Sequence, residues 1–197
     1  MINFSLNTFI KICLMDTGQR IAEIQKRLSG SGGYDFYQSM QKAVRLHASG
    51  KPDEAQTILA SPVNATERKY NQDAYDRFAS KFGSSKSIEP LKNKRTVKFQ
   101  SAEISISVDP LFEFMKSETR NACGLWATQS PPLTQRYGAV ACHLMRQAFA
   151  NDQLGNANFF FCDLVGGKTY SEKQINNNTS LILAADVTGI GTLVREL

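Results

Sequence analysis

The segment from Cys162 to Thr169, CDLVGGKT, comes closest to a motif with built-in chemistry. A phosphate-binding loop reads GxxxxGK[ST] after a strand, so that backbone amides cradle phosphate and the lysine reaches it. Gly167-Lys168-Thr169 supplies the second half of that pattern. Cys162 stands where the first glycine belongs, and its side chain would crowd the amides. The 28 residues after Thr169 do not hold the further strands that would bring a magnesium-binding acid. A hairpin turn at Gly166-Gly167 is the expected structure. Gly30-Ser31-Gly32-Gly33 also has a phosphate-loop composition, but it follows a helical pattern and lacks the dinucleotide-binding context.

Three acids adjoin candidate strands: Glu103, Asp109 and Asp163. Carboxylates gathered around magnesium, with Lys168 nearby, would make a nuclease-type site. The pattern Asp/Glu-x-Lys on one strand is missing, and strand-end aspartates commonly cap turns. His143 follows Cys142 in a helical stretch, where neighbours point about 100° apart. The two side chains therefore cannot act on each other as nucleophile and base. The wheel puts His143 at the apolar margin beside Arg136 and Gln147, and Cys142 towards Gln135 and Arg146. His47 is the second and last histidine, and no Cys/His spacing suggests zinc, so neither metal nor cofactor is expected. Trp126 is expected in the core.

Charge is distributed unevenly. Residues 1–100 carry 16 basic and 9 acidic side chains, whereas residues 101–197 carry 7 and 9. The densest basic stretch holds Lys81, Lys86, Lys92, Lys94, Arg95 and Lys98, relieved by Glu89. Lys86, Lys92, Lys94, Arg95 and Lys98 are the candidate contacts for nucleic acid or another acidic partner; a solvated linker would look the same. The four cysteines have no CxxC pair, and a chain of 197 residues needs no staples, so reduced thiols and a cytoplasmic location are expected. Sequons at Asn64, Asn177 and Asn178 then carry no weight. Met1–Leu14 has Lys11 inside its apolar run and no small-residue cleavage site after it. It is expected to be an upstream extension, loosely docked at most.

These residues need elements to position them. Ile21, Ile24 and Leu28 mark a helix over about 17–29. Tyr37, Met40, Val44 and His47 mark another over 34–48, stopped by Ser49-Gly50. Pro52-Asp53-Glu54 opens a short helix, and residues 67–82 form a fourth, with Tyr70, Tyr75, Phe78 and Phe82 on one side. The stretch Leu46–Gly50–Ala55–Leu59 resembles the helix-turn-helix junction of a tetratricopeptide repeat. With no second copy to stack on, it reads as a plain helical hairpin.

Beyond the basic stretch the period changes to two. Residues 95–100 and 103–108 alternate as a strand pair joined at Ser101-Ala102. Asp109-Pro110 is expected to cap a helix carrying Leu111, Phe112, Phe114 and Met115. A strand over 122–128, a helix from Pro131 to about Asn151, a strand over 158–165, its return over 168–175 and a helix over 181–197 complete the chain. The expected fold class is α+β: N-terminal helices, then a mixed sheet of about five strands in ββαβαββα order. The corresponding regions are an extension (1–14), a helical region (15–85), a basic linker (86–94) and an α+β core (95–197). The function that fits is a non-enzymatic binding or assembly protein; the alternative is a magnesium-dependent enzyme acting on nucleic acid through the strand-end carboxylates. The final helix is apolar around most of its circumference and must be covered on two sides. The N-terminal helices, with aromatic faces at Tyr70, Tyr75, Phe78 and Phe82, are the expected cover, so a monomer is favoured over a homodimer. No apolar run approaches the ~18–20 residues of a membrane span, so no membrane partner is expected.

Overall fold

The computed structural model describes residues 1–30, 35–83, 87–116 and 118–197. Lys86 and residues 31–34 of the glycine-rich connection lie outside them. The chain begins with a strand, β1 (Ile2–Ser5), and five helices: α1 (Leu6–Leu14), α2 (Thr17–Leu28), α3 (Gln38–Ala48), α4 (Pro52–Ala60) and α5 (Ala65–Phe82). Strands β2 (Ile88–Pro90), β3 (Arg95–Phe99), β4 (Ile104–Val108), β5 (Phe112–Lys116) and β6 (Thr119–Trp126) follow. Helix α6 (Gln135–Phe149), strands β7 (Asn158–Asp163) and β8 (Thr169–Ser171), and helix α7 (Asn177–Glu196) end the chain. The fold is α+β.

Local chemistry sets the helix starts. Asp16 accepts from the Gln19 amide at 2.8 Å, and Asn64 accepts from those of Thr66 and Glu67 at 2.9 and 3.2 Å. Pro52 occupies the first turn of α4, with Asp53 and Glu54 at the positive end of its macrodipole. Gly50, at φ +76°, lets α3 turn into α4, so the predicted helical hairpin forms.

Two sheets result. One has the order β1-β4-β3; the other, mixed, has the order β2-β5-β6-β7-β8. In the second, β6 and β7 run parallel through the α6 crossover, and the remaining pairs are antiparallel. Period-two alternation splits its side chains between two cores. Ala122, Trp126, Phe159 and Phe161 face a core built with α1, α6, α7 and the three-stranded sheet. Phe112, Cys123, Leu125 and Cys162 face a second core under α3, α4 and α5, with Met40, Val44, Leu59 and Phe78. Trp126 is fully buried, as expected.

Four expectations need correction. Residues 1–14 are not loosely docked: β1 pairs in parallel with β4, from Ile2↔Ile104 to Ser5↔Ser107, and Phe4, Phe9, Ile10 and Ile12 are fully buried. Residues 112–116 form a strand where a helix is expected. The Asp109-Pro110 pair mimics a cap, but the Phe112/Phe114 alternation wins by pairing with β6, from Phe112↔Cys123 to Lys116↔Thr119. The linker 86–94 contains β2, which pairs Ile88 with Phe114 and Pro90 with Phe112. Finally, an N-terminal helix does pack on α7, but it is α2; Tyr75, Phe78 and Phe82 do not cover α7. They lie in the second core, while α7 buries Leu183, Val187 and Ile190 in the first, against α2, α6 and the turn Gln100–Ala102. Among the described residues no helix is long and apolar enough to cross a membrane.

Candidate functional site

The three acids occupy separate structural roles. Glu103 is exposed and left-handed (φ 56°), closing the turn that joins β3 to β4. Asp109 follows β4 and accepts from Arg45 Nη2 at 2.7 Å, while Arg45 Nε donates to the Leu91 carbonyl at 2.9 Å. Six residues of extended chain put Glu103 and Asp109 about 20 Å apart. Asp163 is buried at the end of β7 and accepts from the amides of Val165 and Gly166 at 3.0 and 2.8 Å. Among the described residues no three His, Cys, Asp or Glu side chains gather in a way that could hold a metal ion.

The loop between β7 and β8 explains the phosphate-loop likeness. Gly167 needs its positive φ of +71°, and a Cβ on Gly166 would sit 2.4 Å from Asp163 Oδ2. Both glycines thus answer to the turn. Thr169 accepts from Lys81 Nζ at 2.5 Å, tying the hairpin to α5. Arg77 Nη1 adds bonds to the carbonyls of Leu164 and Val165, both at 3.0 Å. Between α5 and this hairpin lies a cleft of about 450 Å³ lined by Asp76, Arg77, Lys81 and Asp163.

His143 is half-buried on α6, at the margin as expected. Cys142 differs from expectation: it is fully buried, and burial raises its thiol pKa well above the ordinary range. All four cysteines are free and buried. Cys123 and Cys162, on the parallel strands β6 and β7, bring their sulfurs to 3.5 Å. Burial pushes the Cys123 thiol up; Cys162 moves down, through its bonds to Cys123 and Thr169 and the nearby Lys81 ammonium.

Lys92, Lys94 and Lys98 are exposed and form no ion pair among the described residues. Arg95 is paired with Asp152. On β3 the buried Val97 faces the core side, so Lys98 and Arg95 project to opposite faces. β3 is also an edge strand, where lysines discourage pairing with another chain.

Two polar groupings escape sequence reasoning because their members are far apart along the chain. In one, Asp186 on α7 accepts from the Tyr137 hydroxyl at 2.9 Å and has Arg20 Nη2 at 3.9 Å, beside Cys13. The other is a pocket of about 380 Å³ on the open end of the five-stranded sheet, lined in part by Lys116, Asn121, Asn158, Phe160 and Lys173. The signal that could have found it is the polar Asn158 heading the apolar run Phe159–Cys162.

Comparison with protein-family models and with curated proteins finds no match. Among solved structures, the chain is similar to a crystal structure described as "Putative exonuclease" from Eubacterium rectale, with a TM-score of 0.41, 11% identity, and coverage of 86% of this chain and 71% of that one.

Proposed function

We propose that the chain is a non-enzymatic binding protein of a reducing, cytoplasm-like compartment, and that Lys92, Lys94 and Lys98 meet an acidic partner, nucleic acid first. One observation carries this reading. These three lysines stand exposed and unpaired among the described residues, within one short stretch of loop and edge strand. An unpaired surface ammonium gains little within the fold and is available to neutralise phosphate. The four free cysteines support the compartment. The alternative, a magnesium-dependent enzyme using the strand-end carboxylates, would need Glu103, Asp109 and Asp163 together. Glu103 and Asp109 flank β4 at opposite ends.

The test is fluorescence polarisation with a labelled single-stranded oligonucleotide. Three phosphate contacts on a single strand give a slope of about −2 in log K against log salt, or about a 20-fold loss from 50 to 200 mM. The triple variant K92Q/K94Q/K98Q should flatten that slope and abolish most of the binding. An isotherm indifferent to both salt and the triple variant sinks the proposal.

A further inference from the structure

The five-stranded sheet is only partly covered on its α5 side. Phe112, Cys123, Leu125 and Cys162 are buried there. Further along the same strands, period-two alternation puts Lys116, Thr119, Asn121, Asn158, Phe160 and Ser171 on that same face. These residues line the pocket of about 380 Å³, a volume inside the range of about 300–1,000 Å³ usual for small-molecule sites.

Its chemistry is specific. A row of rings runs from Phe82 to Phe114 (5.7 Å) and on to Phe160 (6.0 Å), where the last ring is half-buried at the pocket. Asn121 is almost fully buried, and its Nδ2 donates to the Phe114 and Thr119 carbonyls at 3.2 and 2.7 Å. Its remaining polar atom is the acceptor Oδ1. Asn158 is exposed beside it in register. Lys116 and Lys173 are exposed at the rim, without an ion pair among the described residues. The lining acid, Glu172, is neutralised by Arg146 at 2.6 and 2.7 Å and also accepts from the Phe159 amide. Glu118 is exposed beyond Lys116.

A ring for stacking, amides for hydrogen bonding and two ammonium groups for phosphate match one kind of ligand. We propose that this pocket binds a nucleotide unit: an aromatic base against Phe160, its polar edge at Asn121 and Asn158, and its phosphate at Lys116 and Lys173. The chemistry is shared by a free mononucleotide and by one nucleotide of a strand. The site is separate from Lys92, Lys94 and Lys98 and does not rest on them.

Calorimetric titration uses the full chain and three probes: adenosine 5′-monophosphate, ribose 5-phosphate and a ten-residue deoxyadenosine oligonucleotide. The monophosphate should bind at least tenfold more tightly than ribose 5-phosphate. F160L, which keeps an apolar side chain in the sheet, should weaken it by about tenfold, and K116Q/K173Q should weaken it and remove its salt dependence. A strand-specific site shows as binding of the oligonucleotide at least tenfold tighter than the monophosphate, lost in F160L; a free-nucleotide site shows comparable affinities. No binding of either base-containing probe at millimolar concentration overturns the proposal. So does an affinity that both variants, folded by circular dichroism, leave within twofold. K92Q/K94Q/K98Q should leave monophosphate binding intact; unchanged oligonucleotide binding in that variant would count against the lysine reading alone.

Discussion

The Tyr137 hydroxyl on α6 donates to the Asp186 carboxylate on α7 over 2.9 Å, and Arg20 of α2 approaches the same carboxylate at 3.9 Å. Three helices meet on one acid. Burial raises the Asp186 carboxyl above its ordinary range, against the opposing pull of Tyr137 and Arg20. Burial also raises the Tyr137 phenol and the neighbouring Cys13 thiol, so both stay protonated at neutral pH. The cluster clasps helices and supplies no nucleophile.

A pH dependence follows from Asp186. Its folded-state pKa lies above the unfolded value, so the folded chain holds a proton that the unfolded chain has released. Stability therefore falls as pH rises from the unfolded value, about 3.9, through the folded one. Asp186→Asn removes this titration and keeps an acceptor for Tyr137. Urea unfolding at a series of pH values should show the stability of D186N, relative to wild type, increasing from about pH 4 and levelling off once the pH has passed the raised folded-state pKa of Asp186. A constant difference across that range would refute the assignment.

The turn after β7 makes a second prediction. Gly166→Ala forces its Cβ towards Asp163 Oδ2, placed at 2.4 Å without adjustment. It should destabilise the fold by about 1–3 kcal/mol. Asp163→Ala, which strips two backbone amides of their acceptor, should cost a similar about 1–3 kcal/mol. Both losses are read as a shift of the urea midpoint at unchanged slope. A D163A protein as stable as wild type would free Asp163 from its turn role and reopen it as a catalytic candidate.

Legibility in the sequence followed the range of the interactions. Helices α2 to α5 could be read because their stripes, stops and first-turn proline are local. The β3–β4 pair could be read because strict alternation flanks a short turn. β1 could not, since its partner β4 lies about a hundred residues away and nothing near Ile2 announces it. β5 was hidden behind Asp109-Pro110, and the residue that lets the chain return into β6, Glu118 at φ 63°, is not a glycine. Asp109 and Asp163 were visible as types, but their engagement by Arg45 and by turn amides was not. The pocket at Phe160 was invisible for the same reason as β1: parallel pairing of β6 with β7 brings Asn121 beside Asn158 only after α6 has crossed.

Helix α7 carries the last prediction. Sequence reasoning treats its small residues alike, as places for close packing, but the structure separates Gly189 from Gly191. A Cβ on Gly189 meets nothing within 4 Å, whereas one on Gly191 would lie 2.6 Å from the Ala102 carbonyl oxygen. That oxygen is backbone and cannot rotate away, so α7 can pack on the Gln100–Ala102 turn only through a bare glycine. Gly189→Ala should therefore stabilise the protein by about 0.5–1 kcal/mol, because alanine loses less conformational freedom on entering a helix. Gly191→Ala gains the same propensity but must push the turn back, and it should lose about 1–3 kcal/mol net. Thermal or urea unfolding of the two single variants reads opposite signs from one chemical change made two residues apart on the same helix. Equal shifts would mean that α7 does not seat against Ala102, and the packing that covers its apolar circumference would have to be redrawn.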